Sequence, residues 1–224
     1  MVLLLTNDDG IDAPGLQTLQ QAITGKTVVV APNTEFSGCG HQVTTHRPIA
    51  VEQRGETAWA IAGTPADCVR IGLHLHTPLH WVLAGVNAGG NLGVDIYTSG
   101  TVAAVREATF HGIPSIALSQ YRKGKRPVNW AIVQRLTERV LAELLDRPPA
   151  PGHFWNVNFP YLEPEDADPA IVFCQPCTRP LPMHYEVVGD TYHYVGEYAK
   201  RPVVAGTDVA HCFGGSIAIS QIAI

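Results

Sequence analysis

Charge is scarce in this chain. Only 16% of its 224 residues are Asp, Glu, Lys or Arg, against about 25% in an ordinary globular protein. With 46% hydrophobic residues, that excludes both a disordered polar chain and a coiled coil. No polybasic face accompanies the formal net charge of −5. The one basic cluster, Arg122-Lys123-Gly124-Lys125-Arg126, reads as a solvated loop before a helix. A nucleic-acid polymer is therefore not expected as the main partner, whereas a mononucleotide needs only a local site. No apolar run reaches the length a bilayer requires, so no membrane partner is expected either. The chain opens directly on a strand, without a basic segment followed by a long apolar one, and the expected setting is the cytoplasm. A disulfide framework is missing too: the five cysteines, Cys39, Cys68, Cys174, Cys177 and Cys212, are odd in number and scattered. Cys174-Gln175-Pro176-Cys177 is a lone C-x-x-C with no second pair and no thioredoxin-like context, a weak zinc or redox signal.

What the chain does have is concentrated in its first ten residues, MVLLLTNDDG. Val2 to Leu5 is an uninterrupted apolar run, which suits a central strand of a parallel sheet buried on both faces. It stops in Asn7-Asp8-Asp9-Gly10. Two adjacent carboxylates at the carboxyl end of such a strand repel each other and resist desolvation, so a positive group is expected between them. Ligands of α/β sheets bind at this end, and a hard divalent cation suits such oxygens. The competing reading is a plain Asn-Asp-Asp-Gly turn before a helix.

Two more apolar strands lead to loops at the same end. Pro14 opens a helix with Leu16, Leu19 and Ile23 on one face, and Thr27 to Ala31 is the next strand. Strand, helix, strand is a βαβ unit, right-handed in nearly all cases, so the loop EFSGCGH (35–41) with Ser37 falls beside Asp8 and Asp9. Ala58 to Ala62 is a short strand, and Thr64-Pro65-Ala66-Asp67 starts a helix. Trp81 to Val86 runs straight into Asn87-Ala88-Gly89-Gly90-Asn91-Leu92-Gly93, whose glycines let backbone N–H groups come close to an anion. Ser99-Gly100-Thr101 precedes a helix over Val102 to His111, and hydroxyls and unpaired N–H groups there suit a phosphate; a plain N-cap is the alternative. Ser115 to Ser119 is a strand, Val133, Leu136, Val140 and Leu144 line the longest amphipathic helix, and Phe154 to Phe159 reads as the last strand of the layer.

Past Pro160 the βα alternation gives way to short β-favouring runs at Ile171 to Phe173, Tyr185 to Val188 and Tyr192 to Val195, with Gly189-Asp190 as a hairpin signal. The expected fold is α/β: a Rossmann-like three-layer sheet of mostly parallel strands with a β-rich C-terminal extension. Residues 1–160 would be the catalytic core and 161–224 the extension, with the final strand, about 215–224, a candidate to return to the core. Hairpins with so little core of their own dock on or exchange with another subunit, so a homodimer or homotetramer is expected.

In their order and spacing, TNDDGIDAPG (6–15), VVAP with SGCGH (29–32, 37–41), GTPADCV (63–69), GVNAGGNLG (85–93), SGTVAA (99–104), NVNFP (156–160) and GTDVAHCFGGSIAIS (206–220) make the chain resemble the SurE family of stationary-phase survival nucleotidases, nearly end to end. The resemblance implies a metal-dependent phosphatase of nucleoside 5′-monophosphates, and also of 3′-monophosphates, with the extension exchanged between subunits. Carried over by motif, the metal ligands would be Asp8, Asp9, Ser37 and Asn87. Ser37 is assigned as a ligand by the resemblance alone. Two positions depart from the family pattern: Ala84 where Ser is common, and Thr98 before the SGT motif where Tyr is common, with Tyr97 one place earlier.

The expected cofactor is one divalent cation per subunit, Mg²⁺ or Mn²⁺. Asn91, Ser99, Gly100 and Thr101 would hold the phosphate, and Asp8 would stand nearest the attacking water. A covalent aspartyl-phosphate route uses D-x-D, which the adjacent pair does not match. The rival from another class is a catalytically weak nucleotide-binding sensor, which would have no need of four oxygen ligands.

Overall fold

The apolar runs become strands because both of their faces meet helices. The computed structural model describes all residues, 1–224. Its main sheet is built from β1 (Val2–Thr6), β2 (Lys26–Pro32), β3 (Val51–Gly55), β4 (Ala58–Ile61), β5 (Trp81–Asn87), β6 (Ser115–Gln120), β7 (His153–Phe159), β8 (Ile171–Phe173) and a late strand, Ile217–Ala223. The strands lie in the order β3-β4-β2-β1-β5-β6-β7, then the late strand, then β8. From β4 through β7 every pairing is parallel.

Alternation along β1 shows how the layers close. Leu3 and Leu5 pack with Leu16 and Leu19 of helix α1 (Pro14–Gln21) and with Val133, Leu136, Val140 and Leu144 of α4 (Trp130–Leu144). Leu4 faces the other way, toward Cys68 and Val69 of α2 (Pro65–Leu75) and Val102, Val105 and Ala108 of α3 (Gly100–Phe110). All three leucines are buried, and Leu4→Ala should cost about 2–5 kcal/mol. Helix α2 starts as its sequence predicts: Thr64 accepts from the Asp67 N–H at 3.2 Å and Asp67 accepts from the Thr64 N–H at 3.0 Å, with Pro65 in the first turn.

From β1 the chain crosses over α1 to β2 on one side; from β4 it crosses over α2 to β5 on the other side of β1. The sheet order thus reverses between β1 and β5, where α/β sheets open a crevice at their carboxyl ends. Asp8 and Asp9 leave β1 there, and Asn87 ends β5.

The outer parts of the sheet differ from the sequence reading. Phe154 to Phe159 is not the last strand of the layer. The strand Ile217–Ala223 pairs antiparallel with β7, setting Ile219 opposite Val157, and β8 adds to it in parallel. Val51 to Gly55 forms an antiparallel edge strand that the pattern did not suggest, because VEQRG is exposed at every position and has no apolar face to read. A short helix, α5 (Asp208–Phe213), stands inside the stretch read as β-rich. β9 (Tyr185–Val188) and β10 (Thr191–Tyr194) form a separate two-stranded hairpin around Gly189-Asp190, exposed along its whole length. With these strands numbered, Ile217–Ala223 is β11.

Candidate active site

Asn7 fixes the turn that presents the carboxylates. Its Nδ2 donates to the Gly10 carbonyl at 2.8 Å, and its Oδ1 accepts from the Gly10 N–H at 3.3 Å. Gly10 itself sits at φ 107°, a conformation that side-chain-bearing residues rarely adopt. The next loop is stitched on by the Phe36 N–H, which donates to the Asp8 carbonyl at 2.7 Å. That loop is also tied to the segment before α3, where the Gly40 N–H meets the Thr98 carbonyl at 3.1 Å. Its far side is anchored by a buried carboxylate, Glu107, which holds His41 Nε2 at 2.8 Å and Arg70 Nε at 3.0 Å. Asp67 adds a second anchor through the Thr44 N–H at 2.8 Å.

Asp8 is 5% exposed, and one of its oxygens accepts from the Thr101 hydroxyl. Burial pushes its carboxyl up to about 6; the Thr101 hydrogen bond pulls the other way, and the charge of Asp9 adds to the rise. Asp9 is raised as well, first by burial, then through Glu35, with the Ala88 backbone opposing. Glu35, whose charge acts on Asp9, accepts the Ser37 hydroxyl on the adjoining loop. It was missed from sequence, where its only signal is a position two residues before Ser37.

The close approach of α3 to Asp8 depends on Gly100. A Cβ there would lie 2.8 Å from the Asp8 Cβ and 2.9 Å from its Oδ2, below any ordinary contact. Ser99 caps α3, accepting from the Val102 N–H at 3.1 Å, and its own hydroxyl hydrogen has no protein partner. The Gly100 N–H lies in the first turn of α3, where the helix supplies no acceptor.

Of the residues read from sequence as metal ligands, Asp8, Asp9 and Asn87 share the β1/β5 crevice, and Ser37 lies on the adjoining loop. Asn87 donates through Nδ2 to the Gly89 carbonyl at 2.8 Å, which leaves its Oδ1 as the outward atom. β5 changes register against β6 between Ala84 and Asn87, the kind of bulge that re-aims a side chain next to a site. Ser37 is exposed and donates to Glu35 Oε1 at 2.6 Å, keeping its oxygen lone pairs.

Two of the residues read as phosphate donors are engaged elsewhere. Thr101 directs its hydroxyl, and a backbone hydrogen bond, at Asp8. Asn91 lies in a buried polar network: its Nδ2 donates to Ser119 Oγ at 2.8 Å, its N–H to Asn158 Oδ1 at 2.8 Å, and its carbonyl accepts from Asn156 at 2.9 Å. Ser99 and Gly100 keep donors without a protein acceptor at the N-terminus of α3. A cleft of about 460 Å³, lined by Asp9, Asn33, Ala88 and Trp130, opens beside the carboxylates. Another, of about 670 Å³, flanks Gly89 and Gly90 with Tyr121, Arg122, Lys125 and Tyr198. Either has room for a small organic ligand.

The sequence matches the family described as "Survival protein SurE" over residues 3–181. A candidate 5′-nucleotidase of Nostoc sp. strain PCC 7120 is 56% identical to it over 226 residues, covering the whole of both chains. The 5′-nucleotidase SurE of Rhizorhabdus wittichii is 47% identical over 174 residues, 74% of this chain and 68% of its own. Among solved structures, the SurE protein of Aquifex aeolicus superposes with a TM-score of 0.88 at 29% identity, covering 100% of this chain and 93% of that one.

Proposed function

The chain belongs to the SurE family of survival proteins, and from that membership we propose that it hydrolyses nucleoside 5′-monophosphates, and 3′-monophosphates as further substrates, with one divalent cation in each subunit. The observation that carries this reading is the crevice at the β1/β5 reversal, where Asp8 meets the N-terminus of α3 and Asp9 and Asn87 follow the carboxyl ends of β1 and β5. The donor chemistry fits a hard cation, since carboxylate, amide and hydroxyl oxygens suit Mg²⁺ or Mn²⁺. No three His, Cys, Asp or Glu side chains gather into a metal-holding group, so the fit rests on Asn87 and Ser37 joining the two aspartates. Asp8, Asp9, Asn87 Oδ1 and Ser37 Oγ would hold the ion. When bound, it would polarise a phosphoryl oxygen and raise the acidity of a nearby water.

The protein's own groups account for the rest. The Ser99 hydroxyl and the Gly100 N–H receive the phosphate oxygens, aided by the α3 dipole. Thr101 holds Asp8 in place by its hydroxyl, and the other carboxylate oxygen, which lies against Gly100, would orient the attacking water. Without the cation, burial raises the Asp8 carboxyl to about 6, so the empty site favours a proton there and the cation would displace it. Glu35, through Ser37, fixes the outer loop.

For assembly we take the exposed β9–β10 hairpin as the contact. Tyr185, Val187, Tyr192 and Tyr194 are each at least half exposed, and an isolated two-stranded hairpin is marginal in water. A homodimer that buries this hairpin against a second copy resolves the exposure. The test of the activity is phosphate release from a panel of nucleoside 5′- and 3′-monophosphates, with EDTA or with added Mn²⁺ or Mg²⁺. Undiminished turnover in EDTA would overturn the cation reading, and no phosphate release under any condition would overturn the enzyme reading.

A further inference from the structure

The glycine-rich loop that follows Asn87 is gripped by the C-terminal part of the chain, beyond the span that the family match covers. Asp208, 1% exposed, accepts the Gly93 N–H on Oδ2 at 2.6 Å and the Cys177 N–H on Oδ1 at 2.8 Å. Gly93 lies flat on that segment. With φ at +55°, a Cβ on it would sit 2.4 Å from the Cys177 carbonyl oxygen, so no larger residue allows the approach. Arg201, 3% exposed, reaches the same loop from the other side. Its Nη1 donates to Asp95 Oδ2 at 2.6 Å and its Nη2 to the Leu92 carbonyl at 3.0 Å. Tyr198 donates its hydroxyl to Asp95 Oδ2 at 2.7 Å.

The gripped stretch joins the two halves of the site. Asn87 lies just before it, and Ser99, Gly100 and Thr101 lie just after it. From the core side the loop is fixed at Ala88 by Asp9, at Asn91 by Ser119, Asn156 and Asn158, and at Ile96 by Arg106. Leu92 to Asp95 take their outer contacts from Asp208, Arg201 and Tyr198 instead. A buried carboxylate that collects backbone N–H groups is a rigid fixture, because losing one acceptor strands an amide away from water.

We propose that Asp208, supported by Arg201 and Tyr198, is a positioning residue of the active site: it sets the path of the loop from Asn87 to Ser99 and thereby the placing of the Asn87 amide and of the α3 N-terminus. The proposal rests on the cation reading for its effect on metal, but its effect on the loop stands apart from that reading. Asp208→Asn keeps the shape and turns one acceptor into an N–H donor facing an amide donor.

Amide hydrogen exchange is followed across residues 88–95 in metal-free protein, with Mn²⁺ binding by calorimetry and kcat and KM on AMP measured in parallel. Leu144→Ala, in the core at the opposite end of the sheet, serves as a variant that is destabilised without touching the loop. The expected result for Asp208→Asn is exchange at least tenfold faster in 88–95 and Mn²⁺ affinity at least tenfold weaker. Its kcat/KM falls at limiting Mn²⁺ and recovers at saturating Mn²⁺, while Leu144→Ala shows none of these local effects. Tyr198→Phe, which only removes a hydroxyl, gives the same pattern about threefold in size and decides the matter if Asp208→Asn does not fold. Exchange and Mn²⁺ affinity equal to the parent's, or changes no different from those of Leu144→Ala, overturn the proposal. A parent protein that takes up no Mn²⁺ overturns the cation reading instead, and the exchange comparison still decides the role of Asp208.

Discussion

Replacing Asp8 by asparagine should make the metal-free protein more stable while abolishing its activity. The Asp8 carboxyl is raised from 3.8 to about 6 in the folded chain, chiefly by burial. Between those values the native state holds a proton that the unfolded chain has released, so stability falls as pH rises through this window. At about 1.4 kcal/mol per pH unit, the gap from 3.8 to about 6 costs the native state about 3 kcal/mol at pH 8 and almost nothing below pH 4. Asparagine carries no charge and can still accept from Thr101, and the charge-assisted part of that bond is already contained in the net rise of the Asp8 carboxyl, so any shortfall from about 3 kcal/mol comes from how well the amide packs. The net gain at pH 8 should be about 1–3 kcal/mol, or roughly 3–9 °C in Tm for a chain of this size. Thermal and urea unfolding in EDTA at pH 8 and pH 4.5 measure it. Adding Mn²⁺ should reverse the ranking, because only the parent gains from binding, by about 4.1 kcal/mol at a thousand times Kd. If Asp8→Asn is no more stable than the parent at pH 8, or gains equally at both pH values, the buried carboxylate is not what limits the metal-free protein.

Asp9→Asn should lower the rate on the order of 10³-fold at limiting metal, since loss of one carboxylate from a hard-cation site removes several kcal/mol; full activity in metal-stripped buffer would refute it. Thr101→Val and Ser99→Ala should part company. The first removes a donor that lowers the metal-free Asp8 carboxyl, so at limiting metal, where a proton competes with the cation for Asp8, the acidic limb of the pH–rate profile moves to higher pH; an unmoved limb argues against it. The second takes a hydrogen bond from a charged phosphate, worth about 1.5–3 kcal/mol, and should appear in KM and in weaker phosphate inhibition. Light scattering over a wide concentration range should give twice the chain mass of 24.1 kDa, and excision of residues 184–195 should give monomer or aggregate; a parent that stays monomeric throughout sinks the assembly reading.

Backbone placement was more legible than side-chain direction. Val2 to Leu5 had to lie in a sheet covered on both faces, and the turn at Asn7 to Gly10 had to fall at its carboxyl end, because apolar patterning and turn chemistry act within a few residues. The right-handed crossover then brought the Ser37 loop to the same end. Direction is set by competition between partners distant in sequence. Thr101 has the right group for a phosphate and gives it to a carboxylate 93 residues away. Asn91 sits in a glycine-rich loop, yet its backbone and amide are claimed by residues 28 to 67 positions away, on β6 and β7. Edge strand Val51–Gly55 escaped notice for the opposite reason: an exposed strand needs no apolar alternation, and backbone pairing alone leaves no mark on composition.

The same competition explains why the C-terminal clamp left no trace in the pattern. Asp208 begins a six-residue helix and reads locally as one of the acidic residues that favour a helix start. Its partner amide, Gly93, is 115 residues earlier. Backbone amides carry no sequence label, so an acidic side chain that binds them cannot be paired with its target by spacing, whereas the Asp8-Asp9 pair announces itself by like-charge proximity. The two kinds of acid also do different work. Burial raises both carboxyls and each collects three hydrogen bonds, but the charge near Asp208 is that of Arg201, which opposes the rise, whereas the charge beside Asp8 is that of Asp9, which adds to it and leaves Asp8 under-compensated in the folded chain. A carboxylate left in that state lowers stability unless a cation or a proton joins it, and that is the physical ground for locating the chemistry at β1 and the scaffolding at α5.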